Sequence, residues 1–406
     1  MDSLIAAAAS ALSAGDPLAA LKRIALRDDP PALALRGIAM AQLGDFARAR
    51  ALLRSAGRMF GPKELVARAR CAVAEAEIAL VSRDLGRSLQ TLNAARIALE
   101  TSGDRRNAAH AGYLEARHLL LIGHLDEAEA VLGAFDASAL PRASLAGREL
   151  VAAGIAIRRI KTAPAKAALE RAMQAATDAR IPAISVEVER AVRAFGTPAA
   201  RLITGGTERL LHLEEVEKLL ATDTLIVDAC RNVVRGGTTI VPLATRPVLL
   251  KLMRALAEAW PEDVARETLL KHAFGARHAD ASHRARLRVE IARLREAVKP
   301  LATLSATRDG FVLQPNTTRN VAVLAPRVEG DRAEVLALLG DGEAWSSSAL
   351  ALALNISPRT VQRALEELAR DSKVEMFGRG RACRWIASGV PGFPTSLLLP
   401  TTRIYS

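Results

Sequence analysis

Apolar residues along the first half of the chain recur at helical spacing, in pairs of short segments separated by a turn. The clearest pair is residues 35–40 followed by residues 46–53, with Gly44 between them. A similar pattern returns around Gly123. Apolar positions three and four residues apart predict amphipathic helices, and a glycine between two such segments predicts a reversal of the chain. We therefore expect residues 1–200 to form consecutive helix pairs.

Successive copies of this pattern are spaced at roughly 37 to 42 residues. The pattern resembles the tetratricopeptide repeat, in which small residues let two helices approach closely and a glycine-containing turn joins them. The period differs, since that family repeats at about 34 residues. The resemblance implies a curved solenoid that holds peptides or protein partners.

Residues 201–223 are interpreted as a linker with a docking helix. Thr207 is of a type that caps helices, and the leucines and valine that follow it, up to Leu220, form one broad apolar side. We expect this helix either to dock on a neighbouring domain or to join two subunits.

The pattern changes after Thr224. Residues 225–241 alternate as strands do, and Gly236-Gly237 predicts a hairpin turn between two of them. Two helices should follow, and then a third beginning at Ser282. The third helix carries a single apolar stripe, which must face a core: Leu287, Ile291, Leu294 and Val298.

The surface of the third helix outside this stripe is basic, and Asp309-Gly310 predicts a hairpin after it. The planar guanidinium of arginine binds guanine edges and phosphate oxygens. The candidate DNA-binding residues here are Arg284, Arg286, Arg288, Arg293, Arg295 and Arg308. The alternative is a solvated helix face on which Arg286 pairs with Glu290.

The order of sheet, three helices and terminal hairpin over residues 224–315 resembles the OmpR/PhoB-type winged-helix domain. The most specific matches are residues 264–269 and residues 289–295. The resemblance implies that the third helix enters the major groove of DNA and that the hairpin reaches phosphate or the minor groove. Ala265 departs from the family, which usually has a capping serine or threonine there. No receiver domain is recognised before the module, so the resemblance does not imply activation by aspartate phosphorylation.

A polar connection is predicted from Asn316 to Gly330, and a second domain over residues 328–388. Ser357 and Pro358 favour a helix start, and apolar residues at helical spacing follow them. The candidate DNA-binding residues are Ser357, Arg359, Thr360, Gln362 and Arg363 on this helix, and Arg379 and Arg381 on a wing.

This second domain resembles winged helices of the DeoR, GntR and MarR kinds. Winged helices also serve as protein-binding modules, and that alternative stays open here. Residues 389–406 form an apolar tail, which we expect to pack on a neighbouring domain or a second subunit.

Charge, composition and missing motifs restrict the possible functions and locations of the chain. The formal charge is +12 and the pI about 10.3, which favours a polyanionic partner such as nucleic acid. The abundance of arginine and alanine is equally typical of a GC-rich genome. The three cysteines are scattered, no apolar run is long enough for a membrane span, and the common nucleotide-binding and hydrolase motifs are missing. We expect no catalytic residue, no metal, no cofactor and a cytoplasmic location.

The sequence thus predicts a mainly α chain: an N-terminal α-solenoid of helix hairpins followed by two α+β winged-helix domains. We interpret it as a bacterial transcription regulator that binds double-stranded DNA, with an effector or partner at the repeats. A homodimer is left open. The alternatives are a scaffold whose winged helices bind proteins and an architectural protein that binds DNA regardless of sequence.

Overall fold

The computed structural model describes residues 2–85, 89–274, 281–317, 320–327, 332–339, 344–378, 380 and 383–387. The chain is 63% helical, with a smaller part towards the C-terminus that contains sheets, so the prediction of a mainly helical chain is confirmed. The predicted tail at residues 389–406 lies outside the described residues.

The chain divides into two compact units that are not contiguous in sequence. The first contains the described residues of Met1–Arg159, Ala163–Ala194 and Asp331–Ser406. The second contains Ile160–Thr162 and the described residues of Phe195–Gly330. The second unit is therefore inserted within the sequence of the first.

Helices follow one another through the first half of the chain. Their bounds are α1 (Ser3–Ser13), α2 (Pro17–Ile24), α3 (Pro30–Gln42), α4 (Phe46–Met59), α5 (Leu65–Val81), α6 (Leu89–Thr101), α7 (Arg105–Leu121), α8 (Leu125–Ala134), α9 (Arg142–Arg158), α10 (Thr162–Ala179) and α11 (Pro182–Phe195). From α1 to α9, each helix packs against the next, and each odd-numbered helix also packs against the next odd-numbered one. Alanines fill much of these contacts and allow the helices to lie close together.

The turn between α3 and α4 shows how the chain reverses. Gly44 has a φ of +85°, which glycine adopts without steric cost, so the glycine turn predicted there is confirmed. Asp45 then caps α4 by accepting a hydrogen bond from the amide of Arg48 at 3.0 Å. Arg83 takes the position of the glycine after α5, with a φ of +48°.

The second unit contains a six-stranded sheet. Its strands are β1 (Ala200–Thr204), β2 (Thr207–Leu211), β3 (Leu225–Asp228), β4 (Val233–Gly236), β5 (Thr239–Pro242) and β9 (Val321–Ala325), in the spatial order β2-β1-β9-β3-β4-β5. Strand β9 runs parallel to β3 and antiparallel to β1. Helix α12 (Leu213–Leu220) follows β2.

Two sequence predictions are wrong in this sheet. The helix expected from Thr207 is a strand up to Leu211, because Gly205-Gly206 forms a tight turn with positive φ at both residues and pairs β2 with β1. Of the expected helix, only Leu213–Leu220 is helical, as α12. The polar connection expected from Asn316 to Gly330 contains β9, all five residues of which are buried.

The remaining elements of the second unit share one hydrophobic core with residues of β3, β4 and β9. Its elements are α13 (Pro247–Ala259), β6 (Val264–Ala265), α14 (Arg266–Phe274), α15 (Ala281–Val298), β7 (Ala302–Ala306) and β8 (Gly310–Pro315). The hairpin predicted at Asp309-Gly310 is confirmed, and its strands form a second sheet in the order β6-β8-β7. We call residues 247–315 the first helix–hairpin module.

The C-terminal part of the first unit is a second helix–hairpin module, residues 332–387. It contains α16 (Ala333–Leu339), α17 (Ser347–Leu354), α18 (Pro358–Arg370) and the antiparallel pair β10 (Val374–Phe377) and β11 (Arg384–Ala387).

This second module packs against the turn that follows α5. Trp345 is 1% exposed, and the guanidinium carbon of Arg83 lies 5.3 Å from the centre of its ring. The hydroxyl of Ser346 donates to the carbonyl of Arg83 at 3.4 Å, and Nε of Arg384 donates to the carbonyl of Ser82 at 3.3 Å. An aromatic side chain, a cation and two backbone acceptors thus hold the module on the N-terminal helices.

Among the described residues, no helix combines the length and apolar character that crossing a membrane requires.

We predict that Gly310→Ala destabilises the β6–β8 pairing by about 3 kcal/mol or more. A Cβ at residue 310 would lie 1.8 Å from the carbonyl oxygen of Val264, so the two strands would have to separate. Amide hydrogen exchange of β8 and thermal unfolding measure the effect. Gly133→Ala is the control, since its Cβ meets nothing within 4 Å and lies in a helix, where alanine is favoured. Unchanged exchange of β8 in Gly310→Ala would contradict the prediction.

Candidate nucleic-acid interface

Helix α15 of the first helix–hairpin module has two faces of opposite character. Its apolar stripe packs against α13, α14 and β7, and none of the four side chains is more than 3% exposed: Leu287, Ile291, Leu294 and Val298. The buried stripe predicted from their spacing is confirmed. Val289 lies on the other side of the helix and is 50% exposed.

All five predicted arginines on α15 are exposed: Arg284, Arg286, Arg288, Arg293 and Arg295. The guanidinium of Arg286 lies 4.6 Å from the centre of the Phe274 ring. Arg293 donates to the carboxylate of Glu290 at 2.9 Å, so Glu290 pairs with Arg293 and not with Arg286. Within the described residues, the side chains of Arg284 and Arg288 have no hydrogen-bond or ion-pair partner.

Two arginines contact the ring of Phe311 in the hairpin β7–β8. The guanidinium carbons of Arg266 and Arg295 lie 5.5 Å and 5.7 Å from the centre of the Phe311 ring. Arg266 also donates to the carbonyls of Arg308 and Thr307, at 2.8 Å and 3.0 Å. The side chain of Arg308 is exposed at the end of the hairpin.

Arg295 makes a structural contact with the hairpin in addition to lying on the surface of α15. Its Nε donates to the carbonyl of Leu304 at 2.8 Å, which joins α15 to β7. Sequence reasoning did not single out Arg266, although the match at residues 264–269 included it. Its role depends on Phe311, which lies 45 residues further along the chain.

Helix α18 presents the candidates of the second module. Ser357 caps it by accepting a hydrogen bond from the amide of Thr360 at 3.1 Å, and the two hydroxyls lie 2.8 Å apart. The apolar residues behind them are buried, as the spacing predicted: Val361, Leu365 and Leu368.

The predicted polar residues of α18 are exposed: Ser357, Arg359, Thr360, Gln362 and Arg363. Gln362 donates to the carboxylate of Glu366 at 3.1 Å. Arg332, at the start of the module, binds the carboxylates of Glu367 and Asp371 nearer the end of the helix. Arg359 and Arg363 therefore lie in the first two turns of α18, Glu366 and Glu367 follow them, and Arg370 ends the helix. Arg379 and Arg381, predicted on the wing, lie outside the described residues.

The contacts that hold the second module on the turn after α5 come from Trp345, Ser346 and Arg384, none of which is on α18. The polar face of α18 is left exposed by this packing. Both modules thus present the start of an amphipathic helix, with arginines, to solvent.

A serine–histidine–glutamate contact in the repeats was not predicted. Nδ1 of His110 lies 3.1 Å from the hydroxyl of Ser144, and its Nε2 lies 2.9 Å from the carboxylate of Glu77. The three residues are at most 2% exposed, so a substrate could not reach the hydroxyl, and we assign them a structural role. Within the described part of the chain, no group of three or more histidine, cysteine or acidic residues could hold a metal ion.

No protein-family model, no curated protein and no solved structure matches this chain.

We predict that Arg295→Ala lowers the free energy of unfolding of the second unit by about 1–2 kcal/mol, because it removes a charged hydrogen bond and a cation–π contact. Arg288→Ala on the same helix is the matched control and should change stability by less than about 0.5 kcal/mol. Urea unfolding of both variants measures the difference. Equal stability of the two variants would contradict the structural role of Arg295.

Proposed function

We propose that this chain is a sequence-specific regulator of transcription that binds double-stranded DNA. In this proposal both helix–hairpin modules are winged helices, the first being part of an OmpR/PhoB-type domain over residues 224–315. Helices α1 to α11 are a solenoid of tetratricopeptide-like repeats that receives a peptide, a protein partner or a small effector. The protein acts in the bacterial cytoplasm.

The observation that carries the proposal is the exposed arginine face of α15 beside the hairpin to which this helix is bonded. A helix with its side chains is about 10–12 Å across, and the major groove of B-DNA is about 12 Å wide. With its stripe buried, α15 would enter the groove by the face that carries Arg286, Arg288 and Arg293. The hairpin, held by Arg295, would bring Arg308 to the backbone.

Charge supports the same partner. The chain carries a formal charge of +12, and arginine contacts to phosphate release counterions from DNA, which makes binding weaker as salt rises. A scaffold without DNA contacts would show no such dependence. An architectural protein would show it, but without preference for any sequence.

One observation favours a different role for the second module. It is already engaged in protein packing through Trp345, and modules of this shape also serve in protein recognition. The second candidate function is therefore a DNA-binding protein that uses only α15, while α18 contacts another protein.

We predict that Arg288→Ala combined with Arg293→Ala weakens binding to a DNA site selected by the full chain from random duplexes. Each lost contact should cost roughly 1–3 kcal/mol in binding free energy. The side chains lie outside the buried stripe, so the fold should be retained. A fluorescence-anisotropy titration at fixed salt measures the affinity, and its repetition at several salt concentrations gives the number of phosphate contacts.

The control for this pair is Arg58→Ala combined with Arg106→Ala, two exposed arginines of the repeats that remove the same charge. The control should affect affinity far less than the α15 pair. If both pairs weaken binding equally, only general charge matters, and the assignment of α15 to the groove is wrong. Failure to select any site would favour the architectural or the scaffold alternative, and the salt series separates those two.

We predict that both modules touch DNA at once and protect an asymmetric site. Only residues 326–332, seven in all, join β9 to α16, and the two helices present different side chains, so the half-sites should be adjacent and unlike. Two different DNA-binding modules in one chain would then take the place of the two identical modules of a symmetric dimer. A footprint of the full chain is compared with that of the Arg359→Ala, Arg363→Ala variant.

Loss of protection at one end only is the expected result. An unchanged footprint with unchanged affinity would assign α18 to protein contacts, the second candidate above. A palindromic footprint would indicate a dimer that reads DNA with two copies of one module.

A further inference from the structure

A cavity lies between α5, α6 and α7 in the helical repeats. Its volume is about 170 Å³. Three alanines on one face of α5 form one wall, Ala72, Ala76 and Ala79, and Leu89 and Leu92 of α6 contribute the opposite side. A cavity of about 150 Å³ holds one benzene molecule, and the sites of drug-sized ligands measure about 300–1,000 Å³. The cavity therefore has room for a compound of about six to eight heavy atoms.

One polar side chain in this wall has no protein partner. His118 of α7 lines the cavity, is 8% exposed, and makes no hydrogen bond or ion pair with the described residues. Its neutral imidazole has one donor and one acceptor nitrogen, and neither is used by the described residues. A ligand with a hydroxyl or an amide group would satisfy one or both nitrogens.

The charges at the cavity favour an uncharged ligand. Burial, with a smaller effect of His124, lowers the pKa of His118 to about 4, so the ring is neutral at pH 7 and does not balance an anion. Asp84 also lines the cavity, but its carboxylate is bound by Arg50 at 2.9 Å, so a cationic ligand would compete with an existing ion pair.

We propose that this cavity is an effector site for a small, uncharged molecule with an aliphatic body and one hydroxyl or amide group bound to His118. Asp84 directly follows Ser82 and Arg83, whose carbonyls hold the second helix–hairpin module. An occupant of the cavity thus borders the turn on which that module packs. The inference that a bound ligand regulates DNA binding rests on the proposed function, whereas the binding of the ligand does not.

Cyclohexanol, with seven heavy atoms, is the probe. The full chain is labelled at histidine with ¹³C and ¹⁵N, and the ring signals of His118 are assigned by their loss in His118→Gln. Titration with cyclohexanol should shift these signals in a saturable way, with a Kd in the millimolar range or tighter. Cyclopentanecarboxylate, an anion of eight heavy atoms, should bind at least tenfold more weakly.

The cavity is tested by filling it. Ala76→Leu should weaken cyclohexanol binding at least tenfold, and Ala72→Val serves the same purpose if thermal unfolding shows that Ala76→Leu does not fold. Ala94→Leu is the matched control on an exposed position of α6 outside the cavity, and it should leave the Kd within twofold. Binding in the filled variants is followed by the His118 signals.

Two results would overturn the proposal: no saturable shift of His118 up to the solubility limit of cyclohexanol, or a Kd unchanged by filling the cavity. The titration contains no DNA. A chain that binds cyclohexanol as described but selects no DNA site would retain the effector site while refuting the proposed regulator, and the reverse result would refute only the effector site.

Discussion

The second unit depends on the burial of β9. This strand lies inside the six-stranded sheet, where it pairs in parallel with β3 and in antiparallel with β1. All of its residues, Val321 to Ala325, are buried. Because β9 follows β8 in sequence, the chain returns from the first helix–hairpin module into the sheet, and Val321 and Val323 join the same core as the stripe of α15. Sheet and helices are therefore parts of one packed body, and the direction of α15 is set by that body.

Burial of one helix face also decides which arginines are exposed. On α15, the stripe that ends at Val298 removes one side from solvent and leaves Arg286, Arg288 and Arg293 on the rest. Arg295, on the same helix, is used to hold the hairpin at Phe311. The same residue type thus has two roles, set by whether an aromatic ring and a free carbonyl lie within reach.

Local patterns predicted the elements whose structure depends on near neighbours. The stripe of α15 and the cap of α18 at Ser357 follow from spacing and residue type, and both are present. The exposure of the candidate arginines on these helices followed from the same reasoning. Sequence reasoning failed at Thr207 because a leucine-rich run is compatible with a strand as well as a helix, and Gly205-Gly206 was not recognised as a hairpin turn. It failed at β9 because burial of those five residues comes from strands distant in sequence. The contact of Trp345 with Arg83 is equally non-local, so no local pattern could reveal it.

The insertion of the second unit into the sequence of the first has a consequence for synthesis on the ribosome. The turn at Ser82 and Arg83 emerges early, but its partners Trp345 and Arg384 leave the exit tunnel only after the whole second unit. The N-terminal helices must therefore persist as a nascent chain with this turn uncovered while more than 260 further residues are translated. Domains generally fold as units in the order in which they emerge. Here the last contacts of the first unit close only after Arg384 has been translated, so a chain that terminates before this residue cannot form them.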